Sequence, residues 1–135
     1  MIARVLLAVL AAMQFVIGLW ALFLPLAFYE VFPYGGTPWV ALLPPYNEHL
    51  VRDHGAGTLA LGVALAFAVW WPERRLVIAV IVSFLVFAVP HAVFHTFHLE
   101  HFPLVDAIGQ QAAFALEIVL AIAVLVALPR ERVRR

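Results

Sequence analysis

The segment Pro90-His91-Ala92-Val93-Phe94-His95-Thr96-Phe97-His98 spaces three imidazoles at i, i+4 and i+7, which puts them on one face of a helix. An i, i+4 imidazole pair can offer two nitrogens to one ion, and imidazole combined with carboxylate suits Zn, Fe, Mn or Cu. A second stretch, Asn47-Glu48-His49-Leu50-Val51-Arg52-Asp53-His54, holds further groups of the same kind. There Glu48 and Arg52 form one i, i+4 pair and His49 and Asp53 another, while His54 shares a face with Thr58. A third stretch places Asp106, Gln110 and Glu117 on one face, at spacings of four and seven residues. The expected metal site takes His91 and His95 from one helix, His54 from a second and Asp106 or Asp53 as carboxylate. Glu48, His49, Arg52, Asp53, His98, Gln110 and Glu117 are then the groups that contact a substrate or orient the ligands. Water on such an ion would be acidified for hydrolysis, or an open position would bind oxygen.

Two other readings of the same residues stay open. A haem held between His54 and His91 needs one ring from each of two facing helices, and ranks below a bare ion because the carboxylates suit an apolar porphyrin pocket poorly. Alternatively the imidazoles bond only to Glu48, Asp53, Asp106 and one another, as a structural polar network. No residue is assigned as catalytic, since the chain has no Gly-rich phosphate loop and no nucleophile elbow.

What must position these groups is an apolar chain. Its 135 residues are 66% hydrophobic and 12% charged with a net charge of zero, and the mean hydropathy is +1.04. A soluble domain of this size has too much surface to hide that much apolar area. Four runs, at about 2–28, 48–71, 76–98 and 104–128, each reach the roughly 20 residues that cross ~30 Å of hydrocarbon as a helix. The expected fold is therefore all-α: a single transmembrane domain over 1–135, built as an antiparallel four-helix bundle. The first run is too long for the core of a secretory signal and lacks a small-x-small cleavage pattern. Cysteine is absent, which excludes disulfides and thiolate sites. Apart from the short tail Arg130, Arg132, Arg134 and Arg135 there is no basic tract, so nucleic acid is not an expected partner.

Arg4, the turn Glu73-Arg74-Arg75 and the terminal arginines fall at one set of helix ends. The positive-inside rule then predicts a multi-pass protein of the bacterial cytoplasmic membrane with both termini cytoplasmic. The histidines and Arg52 fall at the opposite ends, so every group named above except Glu117 converges on the outer layer. The connection 29–47, rich in aromatics and turn formers, is expected along the outer interface as a partial lid. Pro90 is expected to kink its helix. Gly55, Gly57 and Gly62, with Gln14, Gly18 and Ala21, permit close helix approach, and glycine-rich faces also leave a homo-oligomer open. Glu117 lies near mid-span, at the depth of Gln14 and Ser83; a bare carboxylate there is costly, so it is expected protonated or hydrogen-bonded to Gln14.

The runs Asn47-Glu48-His49-Leu50-x-Arg52-Asp53-x-Gly55, Pro90-His91-x-x-Phe94-His95-x-x-His98-Leu99 and Asp106-Ala107 resemble small four-span bacterial membrane proteins of DoxX-like type. The similarity covers about the last two-thirds of the chain, the first span matching only in apolar character. It implies quinone-level redox by analogy and no defined activity, because kinship of fold does not fix function. Two expectations about function follow: metal-dependent redox or hydrolytic chemistry on a lipophilic substrate, or a quinone-, lipid- or haem-binding subunit. A purely structural membrane protein is the third.

Overall fold

A computed structural model describes residues 1–43 and 45–128. The regular structure of the described residues is all helical: α1 Ile2–Phe23, α2 Pro25–Val31, α3 Glu48–Trp70, α4 Arg74–Thr96 and α5 Leu104–Val126, with a 3-10 turn at Leu99–His101 before α5. Four of these helices, α1, α3, α4 and α5, are long and apolar enough to cross a membrane. Each has 22 or 23 residues, about 33–35 Å at ~1.5 Å per residue. Pro44, Pro129 and the terminal arginines, including the expected stop of the last span, lie outside the described residues.

The first apolar run is not one helix to residue 28. It breaks at Leu24, whose φ/ψ of −129/57 is non-helical, because Pro25 supplies no N–H and restricts the residue before it. Pro25 instead starts α2, a short helix that turns Phe28 inward, where it is 4% exposed. Pro90, by contrast, stands inside α4 and the helix runs on past it to Thr96. Asn47 caps α3 as its type predicts, its side chain accepting from the Leu50 amide at 3.2 Å.

The four long helices form a closed ring in which α1 packs on α3 and α5, and α4 packs on α3 and α5. The α1–α3 contact is the most intimate. A Cβ on Gly18 would come within 2.6 Å of the Leu59 amide nitrogen, and one on Gly55 would collide with the Leu22 backbone. Gly62 adds a third close approach, over Gln14 and Phe15, whereas Gly57 faces open space and plays no part. The two helices also fasten each other's ends. Arg4, at the start of α1, donates from Nε to the Val69 carbonyl at the end of α3 at 3.0 Å. Arg52, near the start of α3, donates to the Leu22 carbonyl at the end of α1 at 2.5 Å. Each guanidinium thus meets carbonyls left unpaired by the end of a helix, and the negative end of its dipole.

The bundle is divided along its length. Toward the end that carries Arg4, Arg74 and Arg75, apolar side chains including Leu7, Leu10, Leu65, Ile81, Phe84 and Val124 close into a solid core. Toward the other end, under residues 32–43, the helices enclose a cavity.

Candidate functional site

The cavity has a volume of about 420 Å³ and draws its lining from α1, α2, α3, α4, α5 and the loop after α2. Aromatic rings from Phe28, Phe32, Trp39, Phe87, Phe94 and Phe114 share the wall with aliphatic side chains such as Ile17, Leu43 and Val51. The three imidazoles expected to converge do so here. The His54 and His91 rings are stacked with centroids 5.7 Å apart, and His95 meets His91 edge-on at 4.7 Å. Phe87 stacks on His91 at 5.5 Å, and Phe114 approaches His91 and His95 at 5.2 and 5.0 Å. The i, i+4 step from Phe87 to His91 to His95 stacks these rings along one face of α4.

The remaining polar lining comes from Thr58, Gln110, Gln14 and Glu117. Gln14 donates from Nε2 to Glu117 Oε1 at 3.2 Å, the inter-helix bond expected for a mid-span carboxylate. Ser83, expected at the same depth, is exposed on the outside of α4. Thr58 is 1% exposed and Gln110 2% exposed. The Gln110 amide and the His95 ring are close enough to interact, yet Thr58 Oγ1, His95 Nδ1 and Gln110 Oε1 are all buried without a completed hydrogen bond. Buried polar atoms are normally paired, so three orphans around one cavity are a specific feature of this site.

Asp106 is not among these groups, and its expected place beside the imidazoles is corrected. It stands in the first turn of α5, 6% exposed, with both carboxylate oxygens committed to the loop. The Tyr34 hydroxyl donates to Oδ1 at 2.5 Å, the Trp39 indole N–H to Oδ1 at 2.9 Å and the Thr37 hydroxyl to Oδ2 at 2.8 Å. The Tyr34 phenol is held above the usual tyrosine range, first by this bond, then by desolvation and by the carboxylate charge. Position near a helix N-terminus favours the anion independently. The loop expected as a partial lid is therefore fastened to α5, and Trp39 is shared between the fastening and the cavity wall. Sequence reasoning missed this because the bonded residues are 67 to 72 positions apart.

The other expected contributors stay outside the cavity. Glu48 pairs with Arg52 at 2.8 Å, and Arg52 is occupied with the Leu22 carbonyl. His49 and Asp53 form their i, i+4 pair at 3.3 Å on an exposed surface, so Asp53 is not a ligand to the inner imidazoles. His98 stacks on Phe94 at 4.1 Å and donates from Nδ1 to the Phe94 carbonyl at 2.7 Å. Among the described residues, no group of three or more His, Cys, Asp or Glu side chains is arranged to hold one metal ion. The residues therefore do not fit the four-ligand site that their spacing suggested. What they compose is an aromatic chamber with a few hydrogen-bonding atoms.

Comparison of the chain with protein-family models, with curated proteins and with solved structures gives no match.

Proposed function

We propose that this membrane protein binds a quinone-class molecule, its flat ring inside the aromatic cavity at the loop end of the bundle. The observation that carries the reading is the trio of unpaired atoms, Thr58 Oγ1, His95 Nδ1 and Gln110 Oε1, on side chains that line a chamber rich in aromatic and aliphatic groups. A quinone carbonyl accepts from a hydroxyl or imidazole N–H; a quinol hydroxyl donates to the Gln110 amide oxygen. Rotation of these side chains toward the cavity would give both redox forms partners. Stacking between Phe and His rings suits a planar ligand, and the volume of about 420 Å³ falls in the usual small-molecule range of roughly 300–1,000 Å³. The DoxX-like resemblance of the sequence points the same way.

In this reading the arginine-bearing end faces the cytoplasm of a bacterial cell and the loop end faces out, by the positive-inside rule. Gln14 and Glu117 form the polar floor of the chamber, where Glu117 can hold a proton beside the bound head group. The protein acts as a binding subunit, and electron transfer to or from the ligand belongs to a partner.

The test uses purified full-length protein in lipid nanodiscs, with Trp20, Trp70 and Trp71 replaced by Phe so that Trp39 reports alone. Titration with a decyl-tailed benzoquinone is expected to quench Trp39 saturably, and Thr58→Val/Gln110→Leu to shift the curve to higher concentration. Linear, unsaturable quenching that is identical in both proteins would end the proposal.

A further inference from the structure

We infer that the ligand reaches the cavity sideways from the membrane, through a mouth between α3 and α4 flanked by Leu50 and Phe94, and that its isoprenoid tail stays in this mouth. The inference rests on the quinone-binding reading above. Leu50 and Phe94 line the cavity, yet they are 61% and 49% exposed on the outside of the protein. Side chains that belong to an inner wall and an outer surface together mark an opening.

The helix geometry places that opening. On α3, Gly55 faces α1, where a Cβ would meet Leu22, and His54 faces the cavity. At about 100° per residue, Leu50 lies about 40° beyond His54 on the side away from α1, which is the flank of α4. On α4, Thr96 faces α5, donating to Gln111 Oε1 at 2.9 Å, and His95 faces the cavity. Phe94 is therefore about 100° from His95 on the side away from α5, the flank of α3. Leu50 and Phe94 look into the same interhelical gap, one from the first turn of α3 and the other from the last turn of α4, while the third exposed lining residue, the small Ala113, stands on α5.

On the loop side the cavity is bordered by a tied segment. Residues 34–39 are fastened to Asp106 by three hydrogen bonds, and Trp39 roofs the chamber. An apolar side opening next to a bonded polar loop suits a ligand that dissolves in lipid. The flat head sits among the imidazoles, and the tail passes between Leu50 and Phe94 into the surrounding leaflet without being desolvated from hydrocarbon.

The chain contains no cysteine, so Leu50→Cys/Phe94→Cys can be bridged selectively with a flexible bis-methanethiosulfonate reagent. Association of the decyl-tailed quinone with protein in vesicles is followed by Trp39 quenching before and after bridging in the same variant. Bridging is expected to slow association about tenfold, equivalent to about 1.4 kcal/mol on the barrier, and reduction to restore it. An unchanged rate after bridging would overturn the lateral route while leaving equilibrium binding intact. Absence of saturable binding in the unbridged protein would overturn the quinone reading and the route with it. Should the double variant fail to assemble, Leu50→Cys carrying one bulky thiosulfonate adduct makes the same comparison.

Discussion

Trp39 donates its indole N–H to Asp106 at 2.9 Å while its ring lines the cavity, so a carboxylate outside the chamber fixes one of the chamber's walls. Asp106→Asn keeps the size of the side chain but presents an acceptor on one side only, and cannot take all three donors. The expected result is a loosened loop: lower fluorescence anisotropy of Trp39 and faster proteolysis within 32–43, with the helical content unchanged. Equal anisotropy in the two proteins would show that the loop is held by its apolar packing alone.

The same latch has a pH signature. Tyr34 donates to the Asp106 carboxylate, and its phenol titrates above the ordinary tyrosine range for that reason first. A group whose pKa is raised on folding contributes its stability below the unfolded pKa of about 10 and loses it as pH rises through the folded value. The latch is thus expected to hold throughout neutral and mildly alkaline conditions and to fail only at strongly alkaline pH. Phenolate absorbance should show late-titrating tyrosine, in which Tyr46 also takes part because burial raises it too. In Asp106→Asn one of these should return toward the ordinary range; an unaltered titration would remove the carboxylate as the cause.

Much of this protein can be read from its residues because a bilayer permits few solutions. Four long apolar runs without cysteine, punctuated by Pro72, Pro103 and a good cap at Asn47, require helices of the observed length. The i, i+4 rule places Glu48 with Arg52 and His49 with Asp53, and both pairs form. Facing of His91 and His95 toward His54 follows from helical periodicity. What periodicity cannot supply is the destination of a side chain across a loop. Asp106 looked like a ligand because an acid near histidines suits a metal, but the short polar segment Tyr34–Trp39 offered it three donors. Arg52 looked like a pocket residue, but the break at Pro25 left the Leu22 carbonyl unpaired within its reach. Pro25 was the readable signal there, and it lay hidden inside an otherwise continuous apolar run.

Glycines of the α1–α3 pair should separate sharply by position. Gly18 lies against the Leu59 backbone, whereas Gly57 has nothing within 4 Å of its missing Cβ. Gly18→Ala forces α1 and α3 apart and is expected to destabilise the bundle by about 1–3 kcal/mol, the usual cost of overpacking. Gly57→Ala relieves only the backbone entropy of glycine and should stabilise by up to about 1 kcal/mol. Thermal unfolding in one detergent, followed by circular dichroism, gives both values. Equal effects at the two sites would contradict the intimate α1–α3 contact.

Gln110 provides the most direct contrast between a binding site and a structural network. Its amide is 2% exposed and its Oε1 lacks a completed hydrogen bond, so in the ligand-free protein this oxygen contributes desolvation cost without a compensating bond. Gln110→Leu removes the orphan and should leave thermal stability equal or higher. With the ligand bound, the same oxygen has a donor to accept, and its loss is expected to weaken quinol binding about tenfold, one hydrogen bond of about 1.4 kcal/mol. A purely structural role predicts the reverse pattern, a lower melting temperature with no change in ligand titration. Measuring both quantities on the same two proteins, melting with and without a decyl-tailed quinol, therefore decides between the readings, and a stability loss without a binding loss would return the cavity to the status of a packing defect.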